Sequence, residues 1–128
     1  LYPVVREGLD YLKARGYRLG CVTNKAAQFT VPLLKAMGIY DEFGIVVSGD
    51  TLPVNKPDPG PLLHDAAHFG VEPAESVMLG ESRSDVTAAR AAVFQVVCMS
   101  FGYNHGEEIR NYAPDAVIDS MAELATLV

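Results

Sequence analysis

No apolar run in these 128 residues approaches the length of a membrane span. The chain has no basic stripe and no aromatic–basic cluster, and its net charge of −6 argues against a nucleic-acid partner. Internal repeats, low-complexity tracts and a dividing linker are all missing, so residues 1–128 read as a single domain. Apolar residues make up 49% and charged residues 20%, which excludes bulk disorder. Cysteine is scarce. Cys21 and Cys98 both fall in apolar runs, Leu19 to Val22 and Gln95 to Met99, and read as buried free thiols of a reducing cytoplasm. A membrane is not an expected partner, and neither is a secretory route. One further absence matters most: no Asp-x-Asp sequence occurs anywhere.

What is present alternates between helix and strand. Arg6 to Arg15 has Leu9 and Leu12 at helical spacing and is closed by Gly16. Arg18 to Val22 reads as a strand. Ala26 to Met37 is helical in pattern, with Phe29, Leu33, Leu34 and Met37 on one face and Pro32 in its early turns. Ile45 to Ser48 reads as a buried strand. Asp58 looks like an N-cap, with Pro59 opening a helix that runs to about Phe69 before Gly70. Ser76 to Leu79 and Gln95 to Met99 are strands flanking a small-residue helix, Ser84 to Ala92. Gly106 to Tyr112 reads as a short helix, Ala116 to Ile118 as a strand, and Ser120-Met121-Ala122-Glu123 as a capping box. Strands separated by helices imply parallel pairing through right-handed crossovers. The expected fold is therefore α/β, a parallel sheet with helices on both faces.

Ligands in such sheets bind beyond the carboxyl ends of the strands, and the chemistry-bearing residues cluster there. Thr23 and Asn24 follow a strand and precede a helix, where they suit either a phosphate or a plain turn capped by Asn. Lys56 stands in Lys56-Pro57-Asp58-Pro59, within a loop holding four prolines from Pro53 to Pro61. Those prolines restrict the backbone and would aim the ammonium, although a single loop lysine is often merely solvated. Glu81 and Asp85 lie four apart after a strand and a glycine, a place for a hard divalent cation or for caps on the following helix. His64 and His68 have metal-ligand spacing, but residue 65 is Asp and no third ligand is evident, so they read as surface or half-buried histidines. His105 reads as a rim residue.

Together these segments resemble the haloacid dehalogenase superfamily, and within it the phosphoglycolate phosphatases. The resemblance is carried by Tyr2-Pro3 before a Gly-Leu helix, Val22-Thr23-Asn24-Lys25, Gly49-Asp50-Thr51-Leu52-Pro53 and Lys56-Pro57-Asp58-Pro59. Ser82-Arg83-Ser84-Asp85-Val86, Ala88-Ala89-Arg90-Ala91-Ala92 and Phe101-Gly102-Tyr103-Asn104-His105-Gly106 extend it over nearly the whole chain. It implies a Mg²⁺-dependent phosphomonoester hydrolase with an aspartyl-phosphate intermediate, acting on a small phosphorylated metabolite. Thr23 and Asn24 would bind the phosphoryl group, Lys56 would neutralise its charge, Glu81 would ligate the metal and Asp85 would support that shell.

The departures are equally specific. The family's Asp-x-Asp nucleophile strand and its helical cap have no counterpart here, so this stretch is expected to be inactive alone and to bind Mg²⁺ weakly or not at all. Glu81 stands where the family usually has Asp, and Val4 and Val93 where it usually has Gly. Positive φ at either valine would cost on the order of 1–2 kcal/mol. Without the nucleophile strand, the strands ending at Val22 and Leu79 should either close together or keep unpaired edges that favour self-association. Two rival readings remain: a non-catalytic α/β module or pseudoenzyme binding an anion or a protein, and a receiver-like domain. The second lacks the strand-terminal acceptor Asp it needs.

Overall fold

The computed structural model describes residues 3–100 and 108–127. The Phe101 to Gly106 run, His105 and the expected helix start at Gly106 lie outside them. Packing divides the chain into two units, residues 1–53 with 120–128, and residues 54–119.

The first unit holds α1 (Pro3–Ala14), β1 (Gly20–Val22), α2 (Ala27–Ala36) and β2 (Ile45–Val47). It also has 3₁₀ turns at Tyr40–Glu42 and Met121–Thr126. β1 and β2 are parallel, with Val22 opposite Val47. Leu9, Leu34 and Ile39 form one core cluster, packed against by Leu19, Cys21 and Phe43. Cys21 is therefore half-buried rather than interior. α2 corrects the expected apolar face: Thr30 and Leu34 are its buried residues, whereas Phe29 is 60% and Leu33 47% exposed. Positions 30, 34 and 37 share one stripe at helical spacing, and the adjacent 29/33 stripe turns outward. The final capping sequence forms: the Ser120 hydroxyl accepts from the Ala122 N–H and Glu123 accepts from the Ser120 N–H. It opens a 3₁₀ helix, however, and not an α-helix.

The second unit holds α3 (Gly60–Phe69), β3 (Val77–Gly80), α4 (Arg83–Ala92), β4 (Gln95–Met99) and β5 (Ala116–Ile118). Its strands are parallel in the order β3-β4-β5. The expected helix near Gly106 is a 3₁₀ turn, Ile109–Tyr112. α4 presents Ala88 and Ala89, both fully buried, so its backbone can approach the sheet closely. Asp58 is not the residue at the head of α3. That place belongs to Pro59, while the Asp58 carboxylate accepts from the Gly60 N–H at 2.8 Å. The strands thus form two separate hydrogen-bonded sets, β1-β2 and β3-β4-β5. The α/β parallel class expected from the sequence is the one found.

The two valines at expected glycine positions behave differently. Val4 lies inside α1, a right-handed position that costs a valine little. Val93 ends α4 at φ 65°, left-handed backbone that crowds a β-branched side chain. It is also 67% exposed, so little packing offsets the strain. Val93→Gly should therefore stabilise the chain by roughly 1 kcal/mol in denaturant titration. An unchanged or lower midpoint would mean that the valine is held by contacts that outweigh its backbone cost.

Candidate functional site

The second unit gathers its candidate functional groups at the carboxyl end of β3. Gly80 ends the strand, Glu81 and Ser82 make the turn, and α4 begins at Arg83. From the first turn of α4, Asp85 folds back over this turn. Its Oδ2 accepts from the Glu81 N–H at 3.0 Å, the Ser82 N–H at 3.3 Å and the Ser82 hydroxyl at 3.3 Å. Its Oδ1 accepts from Lys56 Nζ at 2.6 Å. Both side chains are buried, 10% exposed for Lys56 and 8% for Asp85. A buried ion pair offsets its desolvation only when the remaining lone pairs are also satisfied; the three donors on Oδ2 do that here. Cys98 of β4 lies beneath this site, its thiol pushed up to about 11 by burial and by the Asp85 charge, so it stays protonated and unreactive.

Gly80 makes the fold-back possible. A Cβ there would stand 2.5 Å from Asp85 Cβ and 2.9 Å from its Oδ2. This is a demand of close approach and not of backbone conformation. No periodicity in the sequence signals it; the glycine before the acidic run is the only hint.

A hard cation requires oxygen donors, and Mg²⁺ commonly keeps most of its waters while using one or two protein carboxylates. Asp85 already divides its oxygens between Lys56 and the turn, whereas Glu81 is exposed. Of these two carboxylates Glu81 is the one that could offer an oxygen to Mg²⁺, with Asp85 bracing the turn that carries it. His64 and His68 are exposed on α3, with Asp65 between them raised to about 6 by burial, against the pull of both histidines. Among the described residues no three His, Cys, Asp or Glu side chains are grouped to hold a metal.

Thr23 and Asn24 belong to the first unit. The Thr23 N–H continues the β1–β2 ladder to Val47 O at 2.9 Å, and its hydroxyl accepts from the Lys25 N–H at 3.1 Å. Asn24 is exposed and does not cap α2. The N-cap is Ala26, which has no side-chain oxygen, and Asp50 supplies the missing acceptor by taking the Ala27 N–H at 3.0 Å. Sequence reasoning gave Asp50 no role, although an alanine at a helix start is a signal to look for an acceptor elsewhere. A cavity of about 370 Å³ opens beside α2, lined by residues including Val31, Tyr40, Phe43 and Ser48. None of the residues singled out above as catalytic or ligating lines it.

Removing one partner of a buried ion pair leaves the other charge uncompensated, at about 3–5 kcal/mol. Asp85→Ala should destabilise the chain on that scale in urea, and Gly80→Ala should move in the same direction by displacing the carboxylate. Wild-type stability in Asp85→Ala would show that the pair is not the organising contact of this turn.

Comparison with known proteins covers nearly the whole chain. Residues 1–99 match the family described as haloacid dehalogenase-like hydrolase. A phosphoglycolate phosphatase of Nitrosococcus oceani is 63% identical over 128 residues, all of this chain and 57% of that protein. One of Thiobacillus denitrificans is 53% identical, over 97% of this chain and 55% of that protein. The chain thus spans little more than half the length of these curated relatives. The crystal structure of a predicted phosphoglycolate phosphatase from Haemophilus somnus superposes with a TM-score of 0.95 at 38% identity, covering 99% of this chain and 56% of that one. An HAD phosphatase from Thermococcus onnurineus gives 0.86 at 31% identity, covering 99% of this chain and 57% of that one. Sequence and fold agree, and the chain belongs to the haloacid dehalogenase-like hydrolase family.

Proposed function

We propose that the chain is the core portion of a Mg²⁺-dependent phosphomonoester hydrolase acting on a small phosphorylated metabolite, with phosphoglycolate the first to test. The observation that carries this reading is the buried Lys56–Asp85 pair beside the Glu81 turn. A lysine fixed in place by a buried carboxylate neutralises phosphoryl charge without having to be reoriented during reaction. The naming of the relatives as phosphoglycolate phosphatases supports the same substrate class.

In this reading Thr23 and Asn24 bind the transferred phosphoryl group. The Thr23 oxygen already accepts one bond, which leaves its O–H to donate to a phosphate oxygen. Lys56 neutralises charge on the phosphoryl group, Asp85 holds Lys56, and Glu81 ligates the metal. Mg²⁺, when bound, supplies further charge neutralisation at the phosphoryl oxygens. A Mg²⁺ titration that leaves the Glu81 side-chain resonances unmoved would remove that ligand. The location we propose is cytoplasmic. Among the described residues no helix is long and apolar enough to cross a membrane. Recovery of the native protein in a membrane or secreted fraction would overturn that location.

The 128 residues contain no Asp-x-Asp sequence, and in this reading they do not turn over substrate by themselves. Assay with phosphoglycolate and p-nitrophenyl phosphate in Mg²⁺ should give background hydrolysis only. Turnover that disappears in Lys56→Ala would place a nucleophile within these residues and overturn the assignment. A second reading, a non-catalytic anion- or protein-binding module, draws on the strained Val93. Phosphate binding without turnover, in a form of the protein that carries an Asp-x-Asp sequence, would favour it.

Self-association is also part of the proposal. Among the described residues β1 pairs only with β2, and β3 only with β4, so β1 and β3 each have a second edge with no strand on it. Unpaired edges recruit other chains, so sedimentation should show concentration-dependent association. A monomer at every concentration, with a cooperative melt, would contradict this.

A further inference from the structure

The run Gly49-Asp50-Thr51 has no part in the functional reading so far, yet it grips the Thr23 turn at several points. The geometry points to the Ser48–Thr51 turn as a clamp that positions the Thr23–Lys25 loop, with Asp50 as the positioning residue. This rests on the reading of Thr23 as a phosphoryl-binding group and extends it to a residue that touches neither phosphate nor metal.

Three contacts make the clamp. The Gly49 N–H donates to Lys25 O at 2.8 Å. The Asp50 carboxylate accepts from the Ala27 N–H at 3.0 Å, replacing the cap that Ala26 cannot provide. Asn24 O packs so closely on Gly49 that a Cβ there would lie 2.0 Å from it. The clamp is itself braced, because the Thr51 hydroxyl accepts from the Ser48 N–H at 2.8 Å and the Thr51 N–H donates to Ser48 O at 3.1 Å. Buried Thr30 holds the loop from the helix side, its hydroxyl donating to Ala26 O at 3.1 Å.

The physical argument is one of orientation. Thr23 is tied to β2 by its backbone, but the direction of its hydroxyl depends on the Lys25 N–H. The Lys25 peptide is in turn set by Gly49 on one side and by the start of α2 on the other. Without Asp50, the first N–H of α2 has no acceptor among the described residues, and the first helical turn frays. The hydroxyl would then sample directions in which it cannot meet a phosphate oxygen. A displacement of a fraction of an ångström is enough to weaken such a site.

The test uses the 128-residue chain, with amide exchange and an inorganic phosphate titration both followed by ¹H–¹⁵N spectra. Asp50→Ala should speed exchange at Ala27 about tenfold while leaving the β3, β4 and β5 amides unchanged. It should weaken the phosphate response at Thr23 by a similar factor. Asp50→Asn keeps an acceptor oxygen in the same place and should restore most of both. Unchanged Ala27 exchange in Asp50→Ala overturns the clamp, whatever phosphate does. Faster exchange with an undiminished phosphate response overturns its positioning role. If the wild-type chain shows no response at Thr23, the phosphate reading and the positioning role fail together, and the exchange data still decide the clamp.

Discussion

Backbone N–H groups left open where short strands meet helices are the constraint on which both units depend. The strands run three to five residues, so their ladders satisfy few groups and each element end needs a partner from elsewhere. Aspartates meet a large share of that need. Asp85 takes the N–H groups of Glu81 and Ser82, Asp50 that of Ala27, Asp58 that of Gly60 and Asp115 that of Val96. The Asp115 carboxyl sits below the usual carboxylate range because of the Val96 N–H and, after it, Arg90. An acidic balance of −6 is thus partly a structural inventory and not only a property of the surface.

The same device positions the candidate site residues. Asp85 closes the β3–α4 turn with one oxygen and holds Lys56 with the other, so one carboxylate both finishes a secondary structure and aims a cation. Asp50 closes the start of α2 and in doing so constrains the turn that carries Thr23. In each case a glycine in tight contact makes room: Gly80 beneath Asp85, and Gly49 beneath Asn24. Glycine and aspartate work as a pair, one permitting the approach and the other supplying the acceptor.

Much of the element order was legible because it rests on local chemistry. Gly38 and Gly70 sit at positive φ just after α2 and α3, where helices commonly end, and Ser120 with Glu123 caps the last turn. β4 and β5 have the expected boundaries, since their apolar runs are bounded by turn residues. Three features did not yield to the same reasoning. Phe29 and Leu33 look apolar enough for a core, but the stripe that turns inward on α2 is the one holding Thr30 and Leu34. Asp58 looks like an N-cap, but Pro59 takes that position. Asn24 looks like the cap of α2, while the real acceptor comes from 23 residues away.

Taken alone, the sequence determined the parallel α/β class, the haloacid dehalogenase-like resemblance and the residues worth watching: Thr23, Asn24, Lys56, Glu81 and Asp85. Each of those follows from residue type, spacing and position relative to a strand end, which are properties of nearby chain. Tertiary structure alone decided which carboxylates are already committed. Asp85 is divided between Lys56 and its own turn, and Asp50 is spent on a helix start distant in sequence. A lone pair has only one place to point, and that place is set by which segments fold against one another.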